Sequence, residues 1–468
     1  MRQQQGFGRI AEREQGLKRR LTSGQMSMIA IGGAIGTGLF LGSKFAIGFA
    51  GPSVIISYAI GGLITLLLMG CLAEMTVAHS TSGSFGAYAE HYIGPLAGFL
   101  VRYAYWSCVV LAVGTEVTAV AEYMKLWFPD VPGWQWVCLF SAALIFINAM
   151  SVKAFGTVEY WFSTIKVSAI VAFIVLGAYV VRGSPQYGTA QYTSHGGFFP
   201  NGVWGMWIAV VISIFSYLSV EMIAVAAGEA EDPERAVKQA FRATIVRLVV
   251  FYLLTLALIL AIVPWDEAGK GGSPFVKVMQ ALGIPGAADV INFIVLVAAL
   301  SAMNSQLYIT TRMMFSLSRA GHAPSALGRL TRSGTPLNAL LLSTSGIGIA
   351  AVLNVLYPET AFALMMAISM FGALFTWMMI FVTHYFFRRR WARDGGAPLS
   401  FRMPGFPALT LLGAAAMLAI LATTYFTSVF KMTLVFGVPF LLILAAAYGL
   451  LLRKRAEPAA LAARQQRS

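Results

Sequence analysis

Apolar segments long enough to cross a lipid bilayer recur along the whole 468-residue chain. About twelve reach the roughly 20 residues that a spanning helix needs. They cover approximately 25–48, 53–78, 96–122, 134–152, 158–181, 203–228, 240–264, 288–315, 336–356, 361–387, 406–428 and 433–452. Inside a bilayer no water satisfies the backbone, so each segment must be a helix or one strand of a closed barrel. These runs do not alternate apolar and polar residues with period two, which removes the barrel. The chain is therefore read as an all-α membrane protein embedded in a lipid bilayer. With 58% hydrophobic and 11% charged residues, it leaves little sequence for a soluble domain.

The formal net charge is +14. On a soluble protein such a surplus points to nucleic acid, but its distribution here follows the membrane. If the N-terminus is cytoplasmic, so are Lys18, Arg19, Arg20, Arg235, Lys238, Arg242, Arg388, Arg389, Arg390, Arg453, Lys454 and Arg455. About 26 Lys and Arg then lie on or near that side and about 6 on the other, as the positive-inside rule requires. Nucleic acid is not expected as a partner. Residues 1–24 are polar and basic without an apolar core, so they read as a cytoplasmic tail rather than a signal peptide. Residues 454–468 read as a second cytoplasmic tail. The chain has no Asn-x-Ser/Thr sequon, which suits a bacterial inner membrane. Cys71, Cys108 and Cys138 all fall within spans. An odd number there implies neither a disulfide framework nor a metal site, and they read as small buried residues.

The basic segment 388–402 separates ten spans from a final pair. Ten plus two fits two inverted five-helix repeats, about 25–182 and 203–388, followed by two helices over about 406–453. In such architectures the binding site lies where the first helix of each repeat is interrupted. Span 1 holds "AIGGAIGTGLFLGS" (30–43), with glycine at 32, 33, 36, 38 and 42. Glycine is the poorest helix former after proline. Span 6, the matching position, holds "FSYLSVE" (215–221), a hydroxyl-aromatic-hydroxyl cluster ending in a carboxylate. The connection 79–95 between spans 2 and 3 has small and aromatic residues at near-helical spacing and predicts a short interfacial helix.

Several stretches are familiar in order and spacing: "LTSGQMSMIAIGGAIGTGLFLGS", "LAEMTVAHSTSGSFGAYAEHYIGPLAGF", "VEYWFSTIKV", "FSYLSVEMIAVAAGEAEDPERAV" and "LSAMNSQLYITTRMMFSLSRAGHAP". From Leu17 to about Arg390 the chain resembles bacterial amino-acid permeases of the amino acid–polyamine–organocation (APC) superfamily. The resemblance implies a LeuT-like fold of twelve helices, with helices 1 and 6 unwound in mid-membrane. It also implies uptake of an amino acid, whether aromatic, basic, small neutral or γ-amino, usually coupled to protons and without a cofactor.

Each candidate site residue has a plain reading beside the functional one. For Ile35, Gly36, Thr37 and Gly38, the spacing Gly32-xxx-Gly36 and Gly38-xxx-Gly42 reads as close helix packing. The resemblance instead implies an unwound step whose free N–H groups hold a substrate carboxylate. Together they assign Gly32, Gly33 and Gly42 to packing and Gly36 to Gly38 to binding. Phe215 occupies the position of the family's aromatic lid. Carbonyls freed near it and near Ser216 would accept the substrate ammonium; the plain reading is a packing aromatic. Many relatives carry glycine near this point, where this chain has Leu218-Ser219.

Lys166 lies about eight residues inside span 5, where a lysine costs roughly 2.5–3.5 kcal/mol on insertion scales. Snorkelling is the plain alternative. The resemblance implies that its ammonium takes the place of sodium in sodium-coupled relatives, bridging unwound helix 1 and helix 8. Ser301 is its first candidate partner there and Asn304 its second. Glu116 and Glu221 are deep carboxylates, read either as hydrogen-bonded structural acids or as functional groups. The resemblance implies a gating or proton role for Glu221. For Glu116 it implies contact with the substrate amine or a second proton site. Glu74, Lys153, Glu229, Glu231 and Asp232 read as caps and loop ion pairs. No catalytic constellation, nucleotide-binding loop or metal-ligand spacing occurs, which leaves an intramembrane enzyme without support. An exchanger or sodium-coupled carrier on the same fold, or a non-transporting sensor, are the competing readings. The apolar stretches "YWSCVVLAVGTE" and "MMAISMFGALFTW" favour a neutral substrate. The charge distribution predicts that a fluorescent protein fused at the C-terminus is bright in cells, whereas a periplasm-dependent phosphatase fused there is inactive.

Overall fold

The computed structural model describes residues 35–465 apart from 82, 151, 227–234, 236–240, 242–247, 333 and 397, together with residues 7, 8, 10 and 12. Among them every regular element is a helix. A π-helical turn, Gly38–Gly42, leads into α1 (Ser43–Ala50). Then come α2 (Val54–Ala78), α3 (Ser84–Tyr92), α4 (Pro95–Met124), α5 (Gly133–Met150) and α6 (Val152–Gly183). The second half starts with α7 (Gly202–Tyr217) and α8 (Met222–Ala226). A π-helical segment Leu248–Leu254 precedes α9 (Thr255–Ile262), followed by α10 (Pro274–Ala281) and α11 (Ala287–Arg319). The chain continues through α12 (Leu337–Ser343), α13 (Ser345–Leu356), α14 (Ala361–Arg393), α15 (Ala408–Tyr425) and α16 (Lys431–Gln465).

Nine helical segments among the described residues are long and apolar enough to cross a membrane. The difference from the expected twelve has three local causes. Gly38–Ala78 runs as one segment that joins the described part of span 1 to span 2, with the turn between them at Gly51 (φ 61°). Span 6 is broken after Tyr217, leaving only Gly202–Tyr217. The first part of span 7 falls outside the described residues, and Val250–Ile262 remains. The interfacial helix expected over 79–95 is α3. The longest outer connections, 183–202 and 265–287, carry short helices of their own, Gln191–Ser194 and Trp265–Ala268, besides α10.

Helices α2, α4, α11 and α14 form the interior, with 61–72% of their apolar windows buried. Peripheral α5, α6 and α16 bury only 22%, and expose Phe146, Trp161, Tyr179 and Leu442. An outward apolar surface of this kind is what lipid tails cover. Cys138 is exposed on α5, unlike buried Cys71 and Cys108, so the expectation of three buried thiols fails for that one. It shares this outward face with Leu139 and Phe146.

Without a hydrophobic drive between helices in lipid, association depends on close packing and interhelical hydrogen bonds. Two backbones close on α4 through glycine. A Cβ at Gly372 of α14 would sit 2.1 Å from the Ala104 carbonyl, and one at Gly346 of α13 1.9 Å from that of Val110. The buried Arg102 guanidinium pairs with Glu90 at 2.7 Å, tying α3 to α4.

Glu74, expected as a cap or loop ion pair, is instead fully buried in a three-way knot. Its carboxylate takes Arg388 at 2.7 Å and His384 Nε2 at 3.0 Å from α14, and the Met403 N–H at 2.9 Å from the segment before α15. A carboxylate this deep needs several donors at once, and the partners of Glu74 lie more than 300 residues away, beyond any local pattern. At the edge of the bundle His79 stacks on Phe7 at 4.2 Å and hydrogen-bonds Tyr92. Burial, then the charge of His91, pushes the His79 pKa down to about 4. Its ring therefore stays neutral at neutral pH, and the docking it supports weakens as pH falls below about 6.5 toward 4. Gly32, Gly33 and the acidic group Glu229, Glu231 and Asp232 lie outside the described residues, as does the side chain of Lys153. Gly372→Ala is expected to cost about 1–3 kcal/mol through overpacking against Ala104, read as a lower midpoint of thermal unfolding in detergent.

Candidate functional site

The backbone is irregular at both expected positions, as far as the described residues reach. Ile35 and Gly36 are non-helical; Thr37 already has helical angles (φ −62°, ψ −22°), and the π-helical turn starts at Gly38. In span 6, α7 ends at Tyr217, Leu218 is extended (φ −54°, ψ 155°), and Ser219 has φ 77°. A non-glycine residue there is strained. Its N–H donates to Glu221 Oε1 at 3.2 Å, which helps to hold the turn.

The two interruptions touch. A Cβ on Gly38 would lie 2.6 Å from Ser216 Cα, so only glycine permits this approach. Ser216 Oγ donates to the Gly38 carbonyl at 2.7 Å and shares a 2.8 Å bond with the Tyr58 hydroxyl. Gly42, assigned to packing, would have its nearest neighbour at 3.6 Å, an ordinary contact. The tight glycines are Gly38 and Gly36, where a Cβ would lie 2.9 Å from that of Ala302. The freed Ser216 carbonyl, expected to await a ligand ammonium, accepts from Tyr252 at 2.8 Å, and the Phe215 carbonyl accepts from the Leu218 N–H. A buried carbonyl left without a donor is costly, and the fold supplies one.

Between the two irregular stretches lies a small pocket. It is lined by Gly36, Gly38, Glu116, Phe215, Ser216, Leu218, Ser219, Glu221 and Gln306, with Cys108, Val109, Ala112 and Ala302 as its apolar wall. Phe215 is almost fully buried at its edge. Glu116 reaches from α4 to the start of α1's leading turn: Oε2 accepts the Thr37 N–H at 3.3 Å, and Oε1 accepts from Gln306 at 3.5 Å. The N–H expected for a ligand carboxylate is thus held by the protein's own carboxylate. Glu221 Oε1 accepts from the Tyr105 hydroxyl at 2.8 Å, and the buried Trp377 indole faces the same carboxylate.

A second polar cluster lies where α6 and α11 meet helix 1. Lys166 is fully buried, and its Nζ donates to the Ile35 carbonyl at 3.1 Å and to Ser301 Oγ at 2.7 Å. Asn304, the other candidate partner for Lys166, instead donates to Glu159 Oε2 at 3.2 Å and accepts from Asn148 at 2.8 Å. Glu159 escaped the sequence reading, although Glu159, Ser163 and Lys166 follow the i, i+4, i+7 spacing of one helix face. Gln306, Tyr58, Tyr105 and Tyr252 were also missed; single polar residues within apolar spans carry no local signal. Among the described residues no group of three or more His, Cys, Asp or Glu side chains is placed to hold a metal ion.

A family model described as amino acid permease matches residues 25–457. Among curated relatives, the amino-acid permease RocC of Bacillus subtilis is 40% identical over 449 residues, 94% of this chain and 96% of the relative. The γ-aminobutyric acid permease of Bacillus subtilis is 39% identical over 417 residues, covering 88% and 89%. The aromatic amino acid transport protein AroP of Escherichia coli is 39% identical over 414 residues, covering 87% and 91%. Gly38→Ala, by forcing the two interruptions apart at a cost of about 1–3 kcal/mol, is expected to weaken equilibrium binding of a labelled amino acid roughly 5- to 150-fold. Gly42→Ala, with room for its methyl, leaves that binding near the parental value.

Proposed function

Because the chain belongs to the amino acid permease family, we propose that it imports a neutral amino acid across a bacterial inner membrane by proton symport with alternating access. The observation that carries this reading is the cavity between two interrupted helices that are bonded to each other through Ser216 and Gly38. Relatives named for γ-aminobutyric acid and for aromatic amino acids support the ligand class. The substrate carboxylate takes the Thr37 N–H as Glu116 yields it, keeping Gln306 as its remaining partner. The substrate ammonium takes the Glu221 carboxylate, which belongs to the pocket lining. Ser219 and the backbone of Gly36 border the bound molecule, and Phe215 closes over it. The apolar wall of Cys108, Val109, Ala112 and Ala302 surrounds the rest of the molecule, which favours a neutral substrate.

In this reading residues 25–453 form one transport domain. Its inverted repeats are about 25–182 and 203–388, its final pair of helices about 406–453, and both tails are cytoplasmic. Lys166 carries the coupling proton: while charged it pins the Ile35 carbonyl at the helix-1 interruption to Ser301 of α11. Losing the proton frees that contact and favours the other access state. Purified protein in liposomes, offered a panel of labelled amino acids, is expected to accumulate at least one neutral member when a pH gradient, acidic outside, is imposed. Lys166→Ala is expected to abolish the accumulation. Saturable uptake of no member removes the transport reading; accumulation driven by sodium alone removes the proton.

A further inference from the structure

The Lys166 cluster contains a second ionisable group that the coupling scheme above does not use. Glu159 is fully buried one face-repeat before Lys166 on α6. Its Oε1 is 4.0 Å from Lys166 Nζ, too long for a direct hydrogen bond. Ser301 bridges the gap, accepting from Nζ at 2.7 Å and donating to Glu159 Oε1 at 2.6 Å. Ser163 also donates to Oε1, and Asn304, itself held by Asn148 of α5, donates to Oε2. The titratable groups facing Lys166 are thus Glu159 on its own helix and Glu116 on α4, which lies within Coulombic reach. Helices α5 and α11 contribute uncharged Asn148, Ser301 and Asn304, and α9 packs on α6 through Leu258 and Ile262.

We propose that Glu159 is the internal proton acceptor of the coupling site, receiving the Lys166 proton through the Ser301 hydroxyl. The proposal rests on the reading of Lys166 as the coupling group. One N–H bond of the ammonium breaks, and the nitrogen keeps the electron pair. That proton bonds to Ser301 Oγ while the hydroxyl's own proton passes to Glu159 Oε1. Ser301 ends with one proton, as it began, and two opposite charges disappear together. Lys166 then holds the Ile35 carbonyl only as a neutral amine, without any ion having been exposed to lipid. Removing the proton outright, by contrast, would leave Glu159 as a buried carboxylate without its counter-charge.

The test uses the full-length protein in liposomes and whichever labelled amino acid the parental protein accumulates most. Two readouts are compared: accumulation driven by a pH gradient, and counterflow exchange without a gradient. Glu159→Gln and Ser301→Ala are each expected to reduce accumulation by roughly a hundredfold and counterflow far less. Glu159→Asp and Ser301→Thr, which restore the carboxylate and the hydroxyl, should return accumulation toward the parental level. Where Glu159→Gln loses both readouts, the smaller change at Ser301 decides: its selective loss of accumulation supports the relay and parental behaviour overturns it. If Lys166→Ala loses accumulation while Glu159→Gln and Ser301→Ala keep it, the relay alone fails. If Lys166→Ala keeps accumulation, the coupling reading itself fails and the relay with it.

Discussion

The structure depends on one constraint: a helix interrupted inside an apolar interior releases backbone groups that no water can satisfy. Four of these backbone groups have partners on other elements. The Ile35 carbonyl takes Lys166, the Thr37 N–H takes Glu116, the Gly38 carbonyl takes Ser216, and the Ser216 carbonyl takes Tyr252. Those four bonds reach α6, α4, α7 and the π-helical segment before α9. The interruptions are therefore points to which much of the interior is fastened, and their geometry cannot change without exchanging those partners. This is the physical sense in which a ligand or proton at the cavity could bias the packing around it.

The fold class was legible because spanning length and the lack of period-two alternation leave one solution in lipid. The two interruptions were legible as departures from good helix chemistry, glycines in one and a polar cluster in the other. Their exact positions were not, because a break is placed by its long-range partners: the close approach of Ser216 fixes Gly38, and Lys166 fixes Ile35. Of the glycines assigned to packing, Gly32 and Gly33 lie outside the described residues. Gly38 serves the packing of the break itself, and Gly42 has space around it.

Site residues were legible where a charge was deeply placed, as with Lys166, Glu116 and Glu221. Residues that only complete those charges were not. Tyr58, Tyr252 and Gln306 resemble any other polar residue in a span until the structure sets them opposite a freed backbone group or a carboxylate. Glu159 was the exception, since its spacing from Ser163 and Lys166 marked one face of a helix and only its significance was missed. Comparison with the permease family supplies the ligand class, while the cavity wall supplies the argument about which members of that class fit.

The Glu74 knot has a consequence for how the chain is made. Its carboxylate is synthesised 310 residues ahead of His384 and 329 ahead of the Met403 amide. At the usual pace of about 5–20 residues per second, α2 waits roughly 15–60 s in the membrane before these donors exist. During that interval the acid end of α2 must be served by water or headgroups at the membrane boundary, near which the span ends. The arrival of α14 and of the segment before α15 draws it inward and replaces those temporary partners. α14 and the segment after it are thus a late clasp on α2, and the ribosome must pass residue 403 before that early part of the bundle is closed.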